Sequence, residues 1–256
     1  MFTALSALLL GIVEGFTEFL PISSTAHLSL VSNLLHLEQT NFLKTFEIAI
    51  QSGAILAVLI LYWKKFLDWQ VLKRIIIAFI PTGILGLLFY KLIKTYLIGN
   101  TTVNLSALAI GGLLLILFEK WHQEKTGEQT VTSITHKQAL AIGLFQSIAM
   151  IPGVSRSAAT ILGGMLIGIK RETIVEFSFL LAVPTMLAAT GLDLIKNLDK
   201  FSSPQFNLLA IGLIASFLMA MISIKFLLLS IRRHPFTGFG VYRIALVILL
   251  LMYFTI

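Results

Sequence analysis

The sequence predicts an all-α integral membrane protein built as an inverted-topology repeat, each half holding one re-entrant helix hairpin and three transmembrane helices. Three observations carry this expectation. The 256 residues are 57% hydrophobic and 12% charged, about half the charged share of an ordinary soluble domain, and the mean hydropathy is +0.93. Apolar runs of spanning length recur along the chain. Two polar stretches broken by proline, residues 14–27 and 151–160, interrupt those runs at matching places.

The composition also excludes several classes. A net charge of +7 would suit nucleic acid, but the basic residues gather in short loops between apolar runs, as the positive-inside rule arranges them. No nucleic acid partner is expected. The chain has no cysteine, so disulfides, thiolate catalysis and sulfur-ligated metals are out. The amino terminus lacks a basic n-region and a small-residue cleavage site, and it is expected to be mature sequence, not a signal peptide.

Taken in order, the first apolar run stops at Glu14 after ~18 Å of helix, short of the ~30 Å hydrocarbon core. Pro21 separates it from a second short helix starting near Thr25. Residues 2–37 therefore predict a re-entrant hairpin, with one kinked span as the plainer alternative. Spans follow at about 42–63, 75–92 and 102–118, completing a first repeat over 1–118. The first span ends in Tyr62, Trp63, Lys64 and Lys65, an aromatic and basic edge typical of a membrane interface. Residues 119–137 are the most polar part of the chain and predict a solvated cytoplasmic connection. A second repeat over 138–256 then opens with its own hairpin, 138–169, followed by spans at about 173–192, 206–230 and 238–256.

The repeat is supported by offset: Pro21 matches Pro152 at 131 residues, and Glu47 matches Glu176 at 129. Three spans is an odd number, so the second half inserts upside down relative to the first. With the loops after 63, 118, 169 and 230 placed inside, 11 Lys and Arg lie inside and 5 outside, leaving Arg156, Lys225 and Arg243 at membrane depth. Both termini are then outside, and the hairpin tips meet near the midplane, the first open to the outer face.

Glu14 and Glu18 lie four residues apart and share one helix face. Carboxylates at bilayer depth oppose insertion by ~2.5 to 3.5 kcal/mol each, so they default to function. Two on one face bind a hard cation or share a proton; a water-facing or buried helix end is the structural alternative. Ser23, Ser24 and Thr25 follow Pro21 as a helix start. Such a start caps orphan N–H groups and offers a site for phosphate. His27, within one turn of Ser24, is a packed residue in isolation and a general base or nucleophile in this company. In the second tip Ser155, Arg156 and Ser157 add a fixed guanidinium and two hydroxyls. Arginine grips phosphate by a planar fork, or it pairs structurally with Glu14 or Glu18. Together the tips suit a phosphate ester or pyrophosphate.

E-G-F-T-E-F-L-P-I-S-S-T-A-H-L with P-G-V-S-R-S-A-A-T closely resembles the undecaprenyl-pyrophosphate phosphatase family, membrane enzymes associated with bacitracin resistance. The resemblance continues through F-E-I-A-I-Q-S-G, G-G-L-L-L-I and E-F-S-F-L-L-A-V-P. No site position departs from it, although Ala26 is often glycine in relatives. The resemblance implies hydrolysis of a polyprenyl pyrophosphate to the monophosphate carrier in the bacterial cytoplasmic membrane, at its outer (periplasmic) face, aided by Mg²⁺ or Ca²⁺. It implies a catalytic set of Glu14, Glu18, Ser23, Ser24, Thr25 and His27, joined by Arg156 and its flanking Ser155 and Ser157. Within that set we expect Ser24 as the favoured nucleophile, with His27 as its base or general acid or as the alternative carrier of a covalent phosphoryl group, Glu14 and Glu18 as metal ligands, and Arg156 as the clamp on transition-state charge. The expected partners are the polyprenyl pyrophosphate and membrane lipid, and a homodimer is compatible with the chain. The rival class is a polyprenyl-phosphate transporter or flippase, since broken helices in inverted repeats also build carriers. A carrier needs no nucleophile.

Overall fold

The computed structural model describes residues 2–97, 100–122, 129–197 and 203–255. Its regular structure is helical, with no strand among the described residues. The chain runs α1 (Ala4–Thr17), α2 (Ser24–Leu34), α3 (Asn41–Leu67), α4 (Trp69–Leu92, prolonged by a π turn to Leu97) and α5 (Thr101–Trp121). After one 3-10 turn come α6 (His136–Ser147), α7 (Arg156–Leu166), α8 (Arg171–Asn197), α9 (Ser203–Ile231) and α10 (Thr237–Thr255). Five of these, α3, α4, α5, α8 and α9, are long and apolar enough to cross a membrane. The expected sixth span, α10, is apolar, but its Thr237–Met252 portion is shorter.

Helix starts follow local chemistry. Thr40 accepts a hydrogen bond from Leu43 N at the head of α3, and Thr135 with Gln138 forms a capping box at the head of α6, pairing donors the helix leaves orphaned. The most buried span is α8, 61% against 17% for α5. Thus α8 lies inside the bundle, and α5 turns large apolar side chains such as Ile110, Leu113 and Leu114 outward.

Packing is set by small residues. A Cβ on Gly11 of α1 would sit 2.4 Å from the Gly212 carbonyl of α9, and one on Gly143 of α6 would sit 2.0 Å from the Ala78 carbonyl of α4. No side chain fits either contact. Membrane helices gain association from this kind of backbone approach, because apolar burial adds little when lipid is the alternative. Accordingly α1 packs along α9, α6 along α4, α3 against α8 and α5 against α10.

Two expectations about connections are corrected. The basic segment 64–74, read as a loop, is helical except at Asp68, where α3 stops and α4 begins one residue later. Its lysines sit on helix ends with room to reach solvent, so a long loop is unnecessary. The connection read as solvated is partly built into the core. Val131 and Ile134 are fully buried, Arg74 Nε donates to the Ile134 carbonyl at 2.5 Å, and Gln129 receives hydrogen bonds from Lys170 N and Thr173. Glu119 is also held, pairing with Arg171 at 2.9 Å and accepting from Phe236 N. These contacts gather the segments predicted to lie inside on one face.

Candidate active site

The two polar stretches become two helix breaks that touch. Ser23 (φ 70°) and Ser155 (φ 74°) each hold a left-handed backbone directly before an 11-residue helix. Such a conformation is rare for a non-glycine residue and turns the chain sharply into the helix. Ser155 caps Ala158 N with its side chain, whereas Ser23 caps nothing. In the first break the hydroxyls therefore have other work.

The Ser24 hydroxyl donates to Glu18 Oε2 at 2.5 Å, in the range of a charge-assisted O–H···O⁻ bond. Glu18 Oε1 accepts from Arg156 Nη2 at 3.0 Å and from Nε at 3.4 Å. Arg156 Nη1 donates to the Ser178 carbonyl at 2.9 Å. One carboxylate thus joins the serine of the first break to the arginine of the second. This pair is buried, with about a tenth of each side chain exposed.

A cavity of about 190 Å³ opens beside this pair, lined by Glu18, Ser23, Ser24, Thr25, Ser155 and Arg156 from the two breaks. Thr25 is exposed to it, while Ser23 and Ser24 are mostly buried. Three expected site residues stand behind the lining. Glu14 is fully buried, and neither of its carboxylate oxygens has a hydrogen-bond donor. Ser157 donates to the Leu20 carbonyl at 2.8 Å and so ties the breaks together. His27 does not reach Ser24. Its Nδ1 meets the Ser23 carbonyl at 2.8 Å and its Nε2 meets the Tyr242 hydroxyl at 2.7 Å. Since a carbonyl only accepts, Nδ1 carries the proton, and both ring nitrogens are occupied. The expected pairing of Ser24 with His27 is thereby replaced by pairing with Glu18.

The sequence reading assigned no role to Arg243, which is fully buried in α10. Its guanidinium donates to the carbonyls of Pro21, Gly153 and Val154 in the two breaks, and to those of Ala107 and Leu108 in α5. Breaking two helices leaves carbonyls without intrahelical partners, and a planar five-donor group meets several at once. An arginine stranded at membrane depth was the available signal. Also missed were Gln51, Thr82, Gln146 and Thr185, which line the same cavity.

Such a site bears on metal binding. Magnesium is commonly held by one or two carboxylates together with substrate phosphates. The unpartnered oxygens of Glu14, next to Glu18, fit that partial donor set. Among the described residues no group of three or more His, Cys, Asp or Glu is placed to hold an ion alone.

Fold and site define a multi-pass membrane protein with a charged, hydroxyl-rich cavity formed where two broken helices meet. The family model described as "Bacitracin resistance protein BacA" matches residues 7–249, and the chain belongs to that family. It is 52% identical to a protein of Sulfurihydrogenibium sp. over 98% of this chain and all of the relative. It is 51% identical to one of Aquifex aeolicus over 94% and 95%, and 46% identical to one of Thermus thermophilus over 95% of each. All three relatives are named undecaprenyl-diphosphatase.

Proposed function

We propose that this chain is an integral membrane phosphatase that hydrolyses undecaprenyl pyrophosphate to undecaprenyl phosphate and inorganic phosphate, returning the lipid carrier to cell-wall synthesis. The observation that carries the chemistry is the hydrogen bond from the Ser24 hydroxyl to Glu18, with Arg156 on the same carboxylate. Ser24 Oγ attacks the terminal phosphorus as Glu18 takes its proton. The bond to the bridging oxygen breaks, and Glu18 protonates the departing polyprenyl phosphate. Water then attacks the phosphoseryl group, giving its proton to Glu18. Inorganic phosphate leaves as Glu18 returns the proton to Ser24.

Arg156 moves its fork from Glu18 toward the phosphoryl oxygens as charge develops on them. Ser23, Thr25 and Ser155 line the phosphate pocket, and the first-turn N–H groups of α2 add donors that need no side chain. His27 orients the Ser23 carbonyl and thereby the turn that presents Ser24. Glu14 and Glu18 would hold Mg²⁺ or Ca²⁺ together with the pyrophosphate, and the ion would supply charge neutralisation.

The inverted repeat belongs to the same reading. Its support is the match of Gly11 to Gly143 and of Ser23 to Ser155, each 132 residues apart, with α1 on α9 mirrored by α6 on α4. The short pairs α1–α2 and α6–α7 are re-entrant hairpins entering from opposite faces, so that residues 1–118 and 138–256 are the two halves. The basic face gathered around Lys65, Arg74 and Arg171 is cytoplasmic, and the site opens to the outer face of the cytoplasmic membrane.

Purified protein given a short-chain polyprenyl pyrophosphate in detergent should release phosphate, lose that activity with chelator, and lose nearly all of it in Ser24→Ala. Binding of the lipid without phosphate release would indicate a carrier instead.

A further inference from the structure

Gln146 is 1% exposed, yet it borders the same cavity as Ser24 and Glu18. Its Nε2 donates to Thr82 Oγ1 at 2.9 Å and to Thr185 Oγ1 at 3.0 Å. Neither threonine has a proton to give back, because Thr82 donates to the Gly143 carbonyl at 3.0 Å and Thr185 to the Leu181 carbonyl at 2.8 Å. Each hydroxyl has one hydrogen, already spent, so each can only accept from the amide. In this arrangement the amide turns its nitrogen to both threonines. Its Oε1 is left buried without a donor. An orphaned acceptor in a site costs free energy unless something in the cavity supplies a proton to it.

We propose that Gln146 holds the hydrolytic water. The Oε1 accepts one O–H of the water, which turns an oxygen lone pair toward phosphorus and leaves the other O–H for Glu18. An ionised pyrophosphate has few protons to offer, whereas water has two, and a carboxamide neither repels phosphate nor competes as a base. The inference rests on the two-step reading above and concerns its second step alone. Water attacks the phosphoseryl phosphorus, the bond from phosphorus to Ser24 Oγ breaks, and the proton passed to Glu18 returns to that oxygen. Thr82 and Thr185 are positioning residues that fix the amide.

The prediction differs from that of a merely structural glutamine. Gln146→Met keeps the length of the side chain and removes the acceptor. Its kcat should fall about 100-fold, the scale of a misplaced proton-transfer partner, while kcat/KM for the lipid stays within about threefold of wild type. That ratio reports the steps up to departure of the polyprenyl phosphate, and the water enters later. Rapid quenching should then reveal a burst of polyprenyl phosphate approaching one per enzyme and a phosphoryl group accumulating on Ser24. Equal losses in kcat and kcat/KM without a burst would overturn the assignment. Should Gln146→Met fail to fold, Thr82→Val with Thr185→Val carries the test. It keeps the shape, frees the amide and should give the same signature at smaller amplitude; unchanged kcat would contradict the proposal. Failure of the two-step reading looks different, as phosphate release persisting in Ser24→Ala.

Discussion

Glu18 carries two partners on two oxygens, and its replacement separates charge from shape. In Glu18→Gln the Ser24 hydroxyl loses its base and Arg156 loses its counter-charge, so turnover should fall by ~10² to 10⁴. Binding of the lipid should persist, because the arginine fork and the helix N–H groups remain. Parallel measurement of phosphate release and lipid retention decides it; equal losses in both would make Glu18 a binding residue only. The residue types of this site were legible in the sequence because ionisable groups are scarce and conspicuous in an apolar chain. Their pairing was not. His27 lies within a turn of Ser24 in sequence, but its ring is held between the Ser23 carbonyl and Tyr242, a residue 215 positions away. Arg243 stood out as an arginine at membrane depth, but its partners, like those of Gln146, are carbonyls and hydroxyls that carry no sequence signature.

Helix contact here depends on absent side chains, which makes glycine a sharp probe of the elements. Gly143→Ala puts a Cβ against the Ala78 carbonyl and should cost about 1 to 3 kcal/mol by overpacking. Gly191→Ala in α8 meets nothing within 4 Å and should be neutral or stabilise by up to about 1 kcal/mol through helix propensity. Thermal melts in detergent compare the two, and equal melting temperatures would refute the packing argument. Arg243→Lys tests the clamp on the helix breaks. Five hydrogen bonds become at most three, and two lost charge-assisted bonds are worth about 3 kcal/mol at the low end of their range. A lysine variant that melts and turns over like wild type would show that the breaks hold themselves. The long spans were readable from apolar length, as were the breaks from proline and hydroxyls. The helical 64–74 segment was misread because lysine is a good helix former that also marks loops in membrane proteins.

At the scale of the whole molecule, the basic segments meet on one face, through Arg74 to residue 134, Arg171 to Glu119 and Glu119 to Phe236. The chain has no cysteine, so single cysteines report sidedness without background. In intact cells Gln39→Cys should react with an impermeant maleimide and Asp68→Cys should not; the reverse pattern would invert the topology.

In the proposed reaction Ser24, activated by Glu18, carries the phosphoryl group from lipid to water. The most direct measurement is a single-turnover reaction with the terminal phosphate of the lipid radiolabelled, quenched in acid over time. Label should appear first on the peptide containing Ser24 and then as inorganic phosphate. Label that reaches inorganic phosphate without passing through the protein, or that never leaves the lipid, would contradict it.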